Sequence, residues 1–364
     1  MSTVLAETTA PVLALLRSPW LRPLNDSAAI DDLLAMTGTT LSLSRIRARV
    51  VAAVRESRDA RTLVLKPNAL WPGHRAGQHV TVEVEIGGRR LMRTFSLSSP
   101  RRRDGLLAIT VKRHAGGKVS TWWNDVARAG DVVTLAAPGG EFVLPRALPS
   151  HLVFLAAGSG ITPVMAMLRE LDRPGAVQPR VRLLYSTATA ADAIFGKELE
   201  ALAARSPWLE MTLHETATHG RIDQPHLAPL ARDWADALVY VCGPDGFQQT
   251  VRGAWNEAGL ASNLRFERFS LASWAPVTAE AVPVEASRSG IRFEAKPGET
   301  LLAAAERAGL APVYGCRMGV CHTCKCAKIS GRTSDVRDGR TSDDGAGTIQ
   351  LCISTAVTPV VLEL

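Results

Sequence analysis

Three cysteines near the C-terminus are spaced for metal chemistry. They lie in the run Tyr314-Gly315-Cys316-Arg317-Met318-Gly319-Val320-Cys321-His322-Thr323-Cys324, and a fourth, Cys352, follows in Gln350-Leu351-Cys352-Ile353. Four residues separate the first pair and two the second, which is the ligand spacing of a [2Fe–2S] cluster. Three thiolates so close together wrap one cluster only if the loop between them is tight. Gly315 and Gly319 allow that, because the backbone turns there without a Cβ. A zinc site needs a second closely spaced cysteine pair, and a disulfide framework suits a short secreted chain; neither description fits. An iron–sulfur centre moves single electrons, so other residues must bring electrons in.

Two stretches carry chemistry of a different kind. In Arg93-Thr94-Phe95-Ser96-Leu97-Ser98-Ser99 a cation, an aromatic ring and hydroxyls alternate. In a strand Arg93, Phe95 and Leu97 share one face and Thr94, Ser96 and Ser98 the other. Such a strand can offer Arg93 to a phosphate and Phe95 to a flat ring; alone, it also reads as an ordinary strand with a surface arginine. His114-Ala115-Gly116-Gly117-Lys118-Val119-Ser120 reads as a turn exposing amides to a pyrophosphate at a helix start, or as a mere capping turn. Further on, Ala157-Gly158-Ser159-Gly160-Ile161-Thr162-Pro163 joins a predicted strand to a helix. It lacks the GxGxxG fingerprint but has the same logic of small residues at a helix N-terminus, with Pro163 expected at the first helical position. Val241-Cys242-Gly243-Pro244-Asp245-Gly246 follows another predicted strand, where parallel sheets bind ligands. Taken alone, Cys242 is more often a small buried hydrophobe.

Elements of the right kind surround these residues. The chain has 364 residues, too many for one core, and its 46% hydrophobic content is that of a globular protein. A net charge of +7 is scattered, without the basic stripe interleaved with aromatics that would mark a nucleic-acid binder. No apolar run reaches membrane-spanning length, and the N-terminal apolar stretch is broken by Pro11 and lacks an early Lys or Arg, which argues against a signal peptide. Of six cysteines, Cys242 and Cys326 lie outside the cluster set and are expected to be reduced, as in a cytoplasmic protein.

Residues 1–45 form an N-terminal extension, with Trp20 in an extended anchor and a short helix from Ala28 to Met36 capped at Asp26-Ser27. Residues 46–148 hold six period-two strands and one helix, expected over Val119 to Ala129: a small antiparallel β-barrel. Residues 149–270 alternate strand and helix, an α/β parallel-sheet domain. Residues 271–282, with Pro276, read as a linker. Residues 283–364 carry the cysteines and a helix near Thr300 to Ala308.

Arg93 to Ser99, Gly117 to Ser120, Gly158 to Pro163 and Cys242 to Gly246, in that order, resemble the ferredoxin–NADP⁺ reductase superfamily. With the C-terminal cysteine pattern, the chain is similar to phthalate dioxygenase reductase relatives that carry a fused plant-type ferredoxin domain of α+β, β-grasp fold. The N-terminal segment, Pro138 to Pro145 and the cysteine loop resemble, more narrowly, bacterial reductases serving membrane fatty-acid desaturases. The resemblance implies an NAD(P)H:acceptor oxidoreductase that passes electrons from NADPH or NADH through FAD to the cluster. It also assigns roles. Arg93 holds the flavin pyrophosphate, Thr94 and Phe95 lie in the flavin site with Phe95 against the ring, and Ser96 bonds near the reactive nitrogen. Gly117, Val119 and Ser120 continue the phosphate site. Gly158, Gly160, Thr162, Gly243 and Pro244 bind the nicotinamide nucleotide, with Cys242 near the nicotinamide and Phe269 shielding the flavin face. Cys316, Cys321, Cys324 and Cys352 ligate the cluster.

Many relatives have Tyr at Phe95, and many carry an Arg where Tyr185 to Ala190 has none, which leaves NADPH against NADH open. Between Val313 and Thr333 stand Arg317, Lys325, Lys328 and Arg332 and no acid. Such cations would attract anionic headgroups or an acidic docking face. With the desaturase resemblance, they point to a membrane di-iron fatty-acid desaturase as acceptor and to peripheral association with the inner membrane surface. A soluble Rieske-type oxygenase is the alternative acceptor, and a redox-sensing binding module the alternative of another class.

Overall fold

The computed structural model describes residues 27–267, 278, 280–315, 317, 319, 322–336 and 339–364. It divides into two compact units, Met1–Arg221 with Asp236–Tyr240, and Ile222–Ala235 with Val241–Leu364.

The first unit opens with α1 (Ser27–Met36), one residue longer at its start than the sequence predicts; the Asp26 cap and the Trp20 anchor lie outside the described residues. Asp31 on α1 is buried, and its carboxylate accepts from the Leu43 amide at 2.6 Å, the Ser44 amide at 3.1 Å and the Ser44 hydroxyl at 2.7 Å. Those bonds tie α1 to the chain entering the barrel.

Six antiparallel strands follow: β1 (Ile46–Ser57), β2 (Ala60–Pro67), β3 (His79–Ile86), β4 (Arg89–Ser96), β5 (Leu107–Lys112) and β6 (Val132–Leu135). They pair in the order β4-β3-β6-β1-β2-β5. An antiparallel bridge from Leu97 to Ile109 brings the ends of that order together, so the sheet closes on itself. Its core holds Leu63, Leu65, Val82, Leu97, Leu107 and Ile109, each fully buried; full burial of one such side chain contributes about 1.5–3 kcal/mol.

The single helix predicted for this barrel is a finding of another shape. One α-turn, α2 (Lys118–Thr121), runs directly into a π-helical turn at Trp122–Val126, and the chain leaves helical geometry at Ala127. The buried Asn124 amide donates to the carbonyls of Val111 and Ser120, while Arg61 donates to those of Asn124 and Ala127. The carbonyls of Ser120, Asn124 and Ala127 are ones a continued α-helix would have bonded itself, and the bond to Val111 ties the turn to β5.

The nucleotide sheet has the order β11-β10-β7-β8-β9, built from β7 (His151–Ala157), β8 (Arg180–Thr187), β9 (Leu209–Glu215), β10 (Leu238–Cys242) and β11 (Leu264–Glu267). β7, β8 and β9 run parallel. Its helices are α3 (Ile161–Leu171), α4 (Gly196–Arg205), α5 (Thr216–His219), α6 (Gln224–Asp233) and α7 (Asp245–Glu257). The sequence reading omits α5, α6 and β11. α6 carries Pro225 and Pro229 and few apolar residues, so it reads as a loop, yet Asp223 caps it by accepting from the His226 amide.

The C-terminal sheet has the order β13-β12-β18-β14-β16, from β12 (Val282–Ala286), β13 (Ile291–Ala295), β14 (Lys325–Ser330), β16 (Gly347–Gln350) and β18 (Val360–Leu362). β15 (Thr333–Asp335) pairs with β17 (Ser354–Ala356). β12 lies antiparallel to β13 and parallel to β18, with the helix α8 (Leu301–Arg307) in the intervening chain. Val282, placed in the linker by sequence, already pairs with Ala295.

Candidate functional site

β4 delivers the flavin-type residues, and it leaves its partner where the chemistry is expected. Phe95 pairs with Val80 and Ser96 with His79, after which the Ser98 amide bonds to Ala108 on β5 at 2.9 Å. The face assignment holds in detail. Thr94 meets Thr81 on one side at 2.9 Å, while Phe95 and Leu97 join the core on the other. The Phe95 ring lies 5.6 Å from that of fully buried Trp123, which links β4 to the turn after Gly117. Arg93 is half-buried, donates to the Met92 carbonyl at 2.7 Å, and has no carboxylate partner among the described residues. A half-buried cation without an acid is a place for an anion, and this is the observation on which a flavin phosphate fits.

The Gly117 turn is closed on itself. Ser120 Oγ donates to the Gly117 carbonyl and accepts from the His114 amide, each at 3.1 Å. A Cβ on Gly117 would stand 2.5 Å from that oxygen. Val119 is buried in the barrel core, so it anchors the turn from beneath.

In the nucleotide domain of the same unit, Gly158 takes a φ of +55° in the short turn Gly158–Gly160. Tyr185 holds it. Its hydroxyl donates to the Gly158 carbonyl at 3.1 Å and accepts from the Ile194 amide at 3.0 Å, and burial raises its pKa. Sequence reasoning noted this stretch only for its missing arginine. The Thr162 hydroxyl donates to Ser159 at 2.9 Å. Pro163 stands third in α3, since Ile161 begins it; its missing N–H still falls in the first turn, where no partner is required.

In the second unit, Cys242 is fully buried, and burial, with Glu267 second, pushes its thiol well above the ordinary range. It is a neutral group. Gly243 and Pro244 lead into α7, whose Gln248 sequence reasoning also missed. Its amide donates to the Gly243 carbonyl at 2.8 Å and the Glu267 carbonyl at 2.9 Å. That bridge fixes the turn to the strand preceding Phe269, which itself lies outside the described residues.

Of the cluster cysteines, Cys316 and Cys321 lie outside the described residues, while Cys324 and Cys352 are each 2% exposed. The Leu351 amide bonds to the Cys324 carbonyl at 3.0 Å, which sets these two segments side by side. Gln350 Nε2 bonds to the Gly319 carbonyl at 3.0 Å. Arg317 and His322 hold φ values of 58° and 57°, a left-handed backbone that costs about 1–3 kcal/mol per residue and clusters at functional sites. A loop wound this tightly against two buried thiols fits a cluster.

The cations around it correct the docking expectation. Lys328 is buried, and its ammonium bonds the carbonyls of Gly331, Asp343 and Gly345. Arg317 pairs with Glu306 and lies 3.9 Å over the Tyr314 ring, and Arg332 faces Asp344 at 3.6 Å. Only Lys325 of the four is exposed without an ion-pair partner among the described residues. The acids come from outside the stretch in which sequence found none.

Family models match the chain in three places: an oxidoreductase FAD-binding domain at residues 47–144, an oxidoreductase NAD-binding domain at 154–253 and a 2Fe-2S iron-sulfur cluster binding domain at 284–357. An NADPH oxidoreductase of Mycobacterium tuberculosis is 36% identical over 92% of this chain and 88% of its own. The chain belongs to the NAD(P)H-dependent oxidoreductases of ferredoxin reductase type. The glycine betaine monooxygenase reductase subunit of Chromohalobacter salexigens is 29% identical over 90% of this chain and 98% of its own. Among solved structures, phthalate dioxygenase reductase, a modular structure for electron transfer from pyridine nucleotides to [2Fe-2S], superposes with a TM-score of 0.61 at 27% identity, covering 88% of this chain and 98% of that one. This reductase therefore carries domains for FAD, NAD(P)H and a [2Fe–2S] cluster. Among the described residues no helix is long and apolar enough to cross a membrane.

Proposed function

We propose that this reductase is the electron-supplying component of an oxygenase system. The observation that carries the reading is that two relatives matched over nearly their whole length are named as the reductases of glycine betaine monooxygenase and of phthalate dioxygenase. Arg317 and Arg332 face carboxylates of the chain itself and the Lys328 ammonium is buried, which leaves little exposed, unpaired charge near the cluster for anionic headgroups.

When bound, flavin accepts a hydride from a reduced nicotinamide, and flavin and cluster together convert that electron pair into single-electron transfers. The chain's residues bind and orient. Arg93 would neutralise the flavin phosphates, and backbone amides at the start of α2, that of Ser120 among them, would complete their cradle. Phe95, backed by Trp123, lies against the flavin ring, and Ser96 donates at its edge. Gly158, Gly160 and Thr162 at the start of α3 would contact the nicotinamide nucleotide, and the resemblance implies the same role for Gly243 and Pro244 before α7. Cys242, kept neutral by burial, would offer the nucleotide a small apolar contact, and shielding of the flavin face is the role the resemblance implies for Phe269. Cys316, Cys321, Cys324 and Cys352 hold the cluster as thiolates.

The test is reconstitution. The purified reductase, with NADPH or NADH, is added in parallel to a soluble Rieske-type oxygenase and to membranes containing a di-iron fatty-acid desaturase, across a salt series. Product formation by the oxygenase is expected. Desaturation without oxygenase turnover at any salt would overturn the proposal and restore the desaturase as acceptor.

A further inference from the structure

Within the first unit the barrel meets α3 and α4 of the nucleotide domain along a seam that none of the roles above uses. Arg169, near the end of α3, stands at its centre. Its guanidinium holds Glu198 on α4 by both oxygens, Nε to one at 2.8 Å and Nη2 to the other at 2.6 Å. The remaining Nη1 crosses to the barrel and donates to the Ser98 carbonyl at 2.6 Å. A guanidinium held bidentately has a fixed plane, so its third bond has a fixed direction.

Both sides of this contact are braced. The Phe195 ring lies against the guanidinium, 4.9 Å from Cζ to its centroid. Phe195 is buried and precedes α4 with a φ of +62°. That left-handed backbone is an outlier for a bulky residue and persists only where its surroundings over-determine it. On the barrel side Ser98 is fully buried. The side chains of Ser98, Thr110, Thr62 and Glu56 form an unbroken hydrogen-bonded row, with steps of 2.8, 2.7 and 2.6 Å. A second ion pair crosses the same seam, from Arg58 between β1 and β2 to the buried Asp192 at 2.8 Å.

The braces lead to both cofactor sites. α3 starts at the Gly158–Thr162 turn, to which the nicotinamide nucleotide is assigned, and Arg169 lies eight residues beyond Ile161, about 12 Å along a helix that rises about 1.5 Å per residue. The Gly158 turn reaches Arg169 by another route as well. Tyr185 joins the Gly158 carbonyl to the Ile194 amide, and Ile194 adjoins Phe195. Ser98, in turn, follows Ser96 by two residues on the strand assigned to the flavin.

We propose that Arg169 is a positioning residue for hydride transfer, setting the separation of nicotinamide and flavin by fixing α3 against the strand beyond Ser96. The hydride leaves the reduced nicotinamide ring, which is oxidised, for the flavin, which is reduced. A misplacement of about 1 Å between reacting groups costs such a step about 100-fold. Each cofactor's own contacts are untouched by the spacing, so Arg169 acts on the rate and not on either affinity. The step precedes delivery to any acceptor, and its test is independent of which oxygenase takes the electrons.

The experiment is anaerobic stopped-flow reduction of the flavin- and cluster-loaded protein by NADPH and by NADH, with no acceptor present. In Arg169→Gln the limiting rate of flavin reduction is expected to fall about tenfold or more, with flavin content, flavin absorption and the nicotinamide dissociation constant those of the wild type. Hydrogen exchange of the same variant is expected to quicken at the amides of Ser98 and Ile194 and to stay unchanged in β3. Arg173→Gln, which breaks a pair with Glu170 confined to the end of α3, is the control and is expected to reduce at the wild-type rate. Glu198→Gln, which frees the fork, is expected to show the same split to a smaller degree and keeps the test decisive should Arg169→Gln fail to fold. An unchanged limiting rate overturns the proposal. So does a fall matched by flavin loss or by weaker nicotinamide binding, which would make Arg169 a support of the fold and not of the reacting geometry.

Discussion

Cys326 and Cys324 stand two residues apart, and the start of β14 separates their fates. Cys326 opens no loop. It sits in β14 opposite Ile349, 7% exposed, with its side chain in the domain core. Cys324 precedes the strand and meets the segment carrying Cys352 through the Leu351 amide. Cys352→Ser is therefore expected to abolish the cluster's visible absorption and its iron and sulfide content, and Cys326→Ser to preserve both, at the cost only of a small packing change. The reverse pattern would remove Cys352 from the ligand set. At this scale the sequence was most informative where spacing itself is the chemistry, as with the cysteines. It was least informative where a charge is spent internally. Lys328 looks like a docking cation in the sequence, and nothing local announces the three carbonyls of Gly331, Asp343 and Gly345 that surround its ammonium in the fold.

The elements of the sheets were legible because period two and turn residues are local signals. The barrel has the six strands the pattern predicts, and the helix after Gly160 starts two residues before Pro163, the first helical position expected from sequence. Three features were not legible. The π-turn at Trp122–Val126 depends on Arg61 and Asn124, and Arg61 is remote in sequence. α6 is masked by its prolines. The support of the Gly158 turn comes from Tyr185 on the next strand, a register effect of the parallel β7–β8 pairing. That support gives an element-scale expectation. Tyr185→Phe leaves the Ile194 amide and the Gly158 carbonyl without their shared partner, at about 1–3 kcal/mol for buried groups left unsatisfied. The turn at the nucleotide end of β7 should loosen. The Michaelis constant for the nicotinamide should rise several-fold while flavin content and absorption remain those of the wild type. An unchanged constant would show that Gly158 holds its conformation without the phenol.

On the scale of the molecule, separate modules share one chain, and the first unit depends on a carboxylate outside the barrel itself. Burial alone would push Asp31 up, but the Ser44 hydroxyl, the Leu43 amide, the Ser42 hydroxyl and the Ser44 amide together bring it below the ordinary carboxylate range. A folded value below the unfolded one means that the unfolded chain binds protons more readily. The stabilisation from Asp31 is then complete above the ordinary carboxylate range and is lost as pH falls through the lower folded value. Glu56 works in the opposite sense. Burial, chiefly, raises it, with the Thr62 hydroxyl opposing, so its share of the stability grows as the solution is acidified. Acid should therefore release α1 before it opens the barrel. Hydrogen exchange, corrected for intrinsic rates, should show protection at Leu43 and Ser44 falling below about pH 4 while the amides of β1 to β3 stay protected. Asp31→Ala should reproduce that selective loss of protection already at neutral pH, lowering the local stability of α1 by about 2 kcal/mol, the order of a charge-assisted hydrogen bond. Loss of protection at α1 and in the barrel at one and the same pH would mean that the extension is an integral part of the barrel's cooperative unit and not a strap fastened to it.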